Sequence, residues 1–121
     1  MLDHIGFGVT DYQRSKAFYE QTLAPLGITV VIEPMGQACG FGRDGKPFFW
    51  IETGRSVVHG LHAAFFADRR ELVDAFHAAG LAAGGTDNGA PGLRPYHPNY
   101  YAAYILDPDG NNIEAVCHTP G

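Results

Sequence analysis

The chain has 121 residues, 45% of them hydrophobic and only 17% charged, which excludes an intrinsically disordered chain and sets the size of one compact domain over residues 1–121. Eight basic against thirteen acidic residues leave a net charge of −5. Nucleic acid and anionic membranes are therefore excluded as partners, and no run approaches the ~20 apolar residues of a membrane span. Two cysteines, Cys39 and Cys117, are too few for a disulfide framework or a thiolate cluster, and with no leader-like start the expected compartment is the cytoplasm.

Ile5, Phe7 and Val9 alternate with His4, Gly6 and Gly8, the period of a half-buried strand. From Tyr12 to about Leu23 the spacing becomes helical, with Asp11 or Thr10 as N-cap and Pro25 and Gly27 as the stop. The β-branched run ITVVIE, a weaker segment Gln37–Gly42, the turn Arg43–Lys46 and a strand Phe48–Thr53 complete a βαβββ unit. After the short polar stretch Gly54–His59 the order starts again. Leu61, Ala63 and Phe65 alternate with His62 and Ala64, and a helix is expected from about Arg69 to Ala79, ending at Gly80. The segment GGTDNGAPGLRPYHPN reads as a long loop, a candidate lid. YYAAYIL and NNIEAVC then form a hairpin around the turn Asp107–Gly110.

His4 and His62, Phe7 and Phe65, Ala17 and Ala75, and Phe18 and Phe76 are each 58 positions apart, and Ile51-Glu52 precedes Ile113-Glu114 by 62. Two modules, about 1–55 and 58–119, follow from that duplication. The fold class is α+β, two paired βαβββ modules forming a curled mixed sheet around a cavity.

Alternation also sorts the polar residues. His4, Glu52, His62 and Glu114 all lie opposite the apolar set of their strands, so they share one face type. If each sheet packs a helix on one side and curls around a cavity on the other, the four converge inside it. Two imidazoles and two carboxylates placed together suit a divalent cation such as zinc, nickel, manganese or iron. The bland alternative is four independent polar residues at strand ends.

The segments HIGFGVTDYQRSKAFYEQTLAPLG, FWIET, LHAAFFA and DPDGNNIEAV together resemble the vicinal oxygen chelate superfamily, which contains glyoxalase I, bleomycin-resistance proteins, fosfomycin-modifying enzymes and extradiol dioxygenases. The resemblance implies paired βαβββ modules, a homodimer, and a divalent metal that chelates adjacent substrate oxygens. His4, His62 and Glu114 match the shared ligand positions. Glu52 matches the additional carboxylate of glyoxalase I, which can also serve as general base. Where glyoxalase I carries the Arg and Asn that hold glutathione, this chain has Gly8 and Ser56. Gly6 stands where fosfomycin-modifying enzymes carry Thr, and extradiol dioxygenases are about twice this length.

The leading expectation is a metal-dependent lyase or isomerase acting on a small oxygenated molecule, with Glu52 or Glu114 moving the proton and the Tyr104 hydroxyl orienting an enolate. Trp50, Phe48, Phe66 and Tyr104 are candidate cavity walls; Tyr100, Arg94 and His97 are candidate substrate contacts. Gly6 and Gly8 either leave floor space or permit close packing. His59, His77 and His118 read as surface residues. The rival is a metal-free binding protein of the drug-sequestering type, stacking a planar ligand between those aromatic walls.

Overall fold

A computed structural model describes all residues 1–121. The chain folds as β1 (Ile5–Gly8), α1 (Tyr12–Leu23), β2 (Thr29–Ile32), β3 (Ala38–Arg43), β4 (Lys46–Glu52), then β5 (His62–Phe66), α2 (Arg70–Ala82), β6 (Thr86–Leu93), β7 (Tyr101–Leu106) and β8 (Asn112–Cys117). The first sheet has the order β1-β4-β3-β2 and the second β5-β8-β7-β6. In each, the first and last strands pair in parallel and the other pairs are antiparallel. The duplicated α+β architecture is therefore present, as two separate four-stranded mixed sheets rather than one continuous curled sheet.

Local chemistry explains the elements. Asp11 has extended backbone, and its side chain accepts the Arg14 amide, capping α1. A 3-10 turn, Ala24–Leu26, ends that helix with Gly27 in the left-handed region. The second helix runs past Gly80 to Ala82, because Gly80 is a packing glycine rather than a stop. A Cβ there would lie 3.1 Å from the Ile105 side chain.

One apolar core joins the two modules. Phe18, Tyr19, Phe41, Phe49 and Ile51 of the first meet Phe65, Val73, Phe76, Ile105 and Ile113 of the second, with Phe49 and Phe65 edge to face at 5.1 Å.

Polar groups clasp the same junction. The carboxylate of Asp107 accepts the Tyr19 hydroxyl, the amides of Asp109 and Asn111 and the Asn111 side-chain NH2. Asn111 in turn accepts the Leu61 amide and donates to the Val58 carbonyl. The DPDGNN turn thus ties α1, the intermodule link and β8 together. Burial and the Asp107 charge push the Tyr19 hydroxyl pKa well above its ordinary value, so the phenol stays a donor.

Half of the segment read as a loop is strand β6, an outer strand with register shifts on both sides of Gly89. His77, read as a surface residue, is 8% exposed and bonds to Asp87 on that strand at 2.9 Å.

Candidate acid–base site on the second sheet

The face of the second sheet turned away from the core is set out by its register. Ala64 lies beside Glu114, Glu114 beside Tyr104 and Tyr104 beside Gly89. These four run across the sheet in one row. Alternation thus placed Glu114 and Tyr104 on one face, as expected. What it did not indicate is that this face is covered too: Glu114 is only 1% exposed.

A buried carboxylate is costly unless its oxygens are bonded, and both are. The Tyr100 hydroxyl donates to Glu114 Oε2 at 2.5 Å, and His62 Nε2 lies 3.0 Å from Oε1. The other ring nitrogen of His62, Nδ1, faces the carbonyl of Asn112 at 3.1 Å. A carbonyl only accepts, so Nδ1 carries a proton; Nε2 donates to Oε1 when it is protonated too, and otherwise turns its electron pair toward the carboxylate. Two electron pairs facing each other require a cation between or beside them, a proton or a metal. His62 is half exposed and Glu114 is not, so His62 is the member of the pair open to solvent.

Around this pair stand further rings. Tyr104 lies 6.4 Å from His62 between centroids, and Tyr96, His97 and His118 pack around Tyr100. Burial, then the bond to Glu114, raises the Tyr100 hydroxyl pKa; burial, then the Glu114 charge, raises that of Tyr104. Both remain hydrogen-bond donors at neutral pH.

The first sheet carries the other half of the expected set, elsewhere. His4 is exposed and bonds to Asp3 at 2.9 Å. Glu52 pairs with Arg55 at 2.6 Å. Asp3, His4, Gly6, Trp50, Glu52 and Arg55 line a cleft of about 730 Å³ on that sheet. No three ligating side chains of the chain come together as a metal group, so the expected convergence of all four does not occur within one copy.

Register gives the reason. Gly6, the counterpart of Ala64, sits beside Trp50, and Glu52 sits two residues farther on beside Gly8. Trp50, not Glu52, occupies the place of Glu114. Parity of alternation reveals a residue's face but not its position along the strand.

The expected aromatic walls are also divided. Trp50 belongs to the first-sheet cleft. Phe48 and Phe66, with Leu2, Ile5 and Ala63, line a second groove of about 480 Å³ along β5. Of the acid–base cluster only His62 reaches that groove, and Glu114, Tyr100, Tyr104 and Arg94 line neither space. Gly8 permits close packing rather than leaving floor space. A Cβ there would lie 2.5 Å from the carbonyl oxygens of Arg55 and Ser56, so no arginine fits where glyoxalase I holds glutathione.

Sequence reasoning missed the amide pair Asn88–Asn112, bonded at 3.2 Å on the polar side of the second sheet, and His118 against Tyr100. Asn112 and His118 share the even parity of Glu114 along β8 and beyond it, the signal by which they were accessible.

The comparisons agree with this architecture. A glyoxalase/bleomycin resistance protein from Albidiferax ferrireducens T118 is 38% identical, with a TM-score of 0.83 and 99% of each chain covered. A glyoxalase/bleomycin resistance protein/dioxygenase family enzyme from Burkholderia phytofirmans PsJN is 22% identical, with a TM-score of 0.72 over 97% of this chain and 98% of that one. The lactoylglutathione lyase of Agrobacterium tumefaciens, 21% identical, shares the fold at a TM-score of 0.70 over 97% and 92%. No curated protein matches the sequence. Residues 1–115 match the family model of the Glyoxalase/Bleomycin resistance protein/Dioxygenase superfamily, and the chain belongs to that superfamily.

Proposed function

We propose that the protein is a cytoplasmic lyase or isomerase for a small oxygenated molecule, moving a proton at Glu114 and His62. The observation that carries this reading is the buried Glu114 carboxylate, held by Tyr100 on one oxygen and facing the His62 ring nitrogen on the other. Nothing in the apolar core requires a carboxylate on that face. An oriented carboxylate beside a half-exposed imidazole is suited to general acid–base work. A substrate lying over Tyr104 meets His62 first; turning that ring uncovers Oε1, which takes a proton from a carbon acid and returns it. Tyr100 keeps Oε2 in place, and the Tyr104 hydroxyl offers a donor to the oxygen on which negative charge develops.

The nitrogen and oxygen that His62 and Glu114 present side by side also fit a divalent metal. Such a cation (zinc, nickel, manganese or iron), when bound, would polarise adjacent substrate oxygens and acidify the carbon between them. One copy supplies only these two ligands on this face, so the working unit we propose is a homodimer in which His4 and Glu52 come from the second copy. The groove along β5, whose outer edge pairs with no strand, is where that copy would seat.

Metal content after purification without added metals tests the reading, with wild type compared against His62→Ala, Glu114→Gln and His4→Ala. Bound metal in the wild type and its loss in all three variants is expected, with a dimer in sedimentation. Equal occupancy in all four proteins, or none in any, overturns the metal reading. The metal-free binding alternative would instead show thermal stabilisation by planar aromatic cations and none by metals.

A further inference from the structure

Beside the acid–base pair, strand β6 carries an unusual seat for one cation. Arg94 follows β6, and its side chain lies back along that strand over two glycines. Built-in Cβ atoms would meet its guanidinium at 3.0 Å from Gly92 and 3.3 Å from Gly89. The Gly89 Cβ would also lie 2.7 Å from the Tyr104 ring. A Cβ at either place would crowd the guanidinium, which lies beside Tyr104 with its carbon 5.3 Å from the ring centroid. Its N–H groups donate to the Ala90 carbonyl at 2.7 Å and, at 3.5 Å, to the Leu93 carbonyl, which leaves the remaining N–H groups of the held guanidinium free.

No carboxylate lies within 4 Å of Arg94, although the chain has thirteen acidic residues and a net charge of −5. Glu114, the carboxylate on the same face, has its oxygens committed to Tyr100 and His62. A half-buried guanidinium with a held orientation and free donors is built to receive a planar anion in a two-pronged contact. The row across the sheet places Tyr104 between Glu114 and Gly89, a span of two strand spacings, roughly 10 Å.

We infer that Arg94, in the trough of Gly89 and Gly92, binds the carboxylate of a small organic acid that lies across Tyr104 with its reacting end toward His62 and Glu114. The substrate class is thus an acid. This rests on reading the polar face of the second sheet as the substrate face, though not on any metal. Substrate recognition comes from a part of the chain that the sequence alone presents as a glycine-rich loop.

The test follows the Arg94 Nε–H resonance by NMR while the purified protein is titrated with propionate, with its uncharged isostere propionamide and with inorganic phosphate. Propionate is expected to shift the resonance and propionamide is not. Arg94→Gln is expected to weaken propionate binding at least tenfold, measured on other resonances of the face, and Arg94→Lys to restore part of it, since lysine keeps the charge but loses the fork. Equal response to acid and amide, undiminished binding by Arg94→Gln, or phosphate binding more tightly than propionate would each overturn the assignment. The same titration on Glu114→Gln separates the two proposals. Propionate still shifts Arg94 there if the subsite stands, whereas failure of the metal reading appears in the metal content and leaves this binding in place.

Discussion

Among the uncharged side chains of the DPDGNN turn, Asn111 is the one whose truncation to Ala should cost the most stability. Asn111 is fully buried and makes three side-chain bonds, from the Leu61 amide, to the Val58 carbonyl and to the Asp107 carboxylate, at 2.8, 3.1 and 3.0 Å. Each neutral partner left bare costs about 1 kcal/mol and the charged one about 1.5–3 kcal/mol. Water entering the space recovers part of this, so the expected loss is about 3–4 kcal/mol. In a chain of this length that is a fall in Tm of roughly 12–16 °C. Urea unfolding followed by tryptophan fluorescence and circular dichroism measures it. Asn112→Ala is the control, because its side chain bonds only to exposed Asn88 and should cost under about 1 kcal/mol. A loss at Asn111 no larger than at Asn112 would refute the clasp as a source of intermodule stability.

Two further outcomes follow from the geometry. Bonds from Tyr12 and then Lys16 hold the Glu33 carboxyl below its ordinary value, and the bond from His77, then the Gly89 amide, does the same for Asp87. A carboxyl depressed in the folded state contributes stability above its unfolded pKa and loses it as pH falls through the folded one. Tm should therefore decline below about pH 4.5, and Tyr12→Phe should flatten that decline; an unchanged slope in the variant contradicts the assignment. Gly8→Ala places a methyl 2.5 Å from two carbonyl oxygens, so it should destabilise by about 2 kcal/mol or more, read by the same urea titration. A neutral result would remove the steric argument against an arginine there.

Much of the architecture was legible because its signals are local. Ile5, Phe7 and Val9 declared the first strand, and the helical spacing from Tyr12 to Leu23 matched α1 at both ends. Asp11, one of two candidate caps, proved to be the cap in use. Strand β6 was not legible because TDNGAPGL is rich in the residues that strands avoid. An outer strand tolerates them, since its free edge needs no ladder partner for Pro91. The same limit applies to the site. Alternation was enough to put Glu114 and Tyr104 on one face, but the meeting of His62 with Glu114, and the failure of His4 to meet Glu52, depend on register, which no local pattern encodes. His77 was misread because its partner Asp87 lies on the strand that went unrecognised.

The two-residue difference in register between the sheets has a stereochemical consequence. A duplicated scaffold offers surroundings related by a near two-fold rotation, and with that axis in the plane of a flat molecule the molecule's two sides would look alike. Here one half holds its imidazole and carboxylate against each other, while the other keeps Trp50 at the equivalent place and its carboxylate on Arg55. On the function proposed above, a planar enolate resting on the second sheet would receive its proton from that side alone. The product of that proposed reaction would have a single handedness, traced to a difference of two residues in register between the sheets.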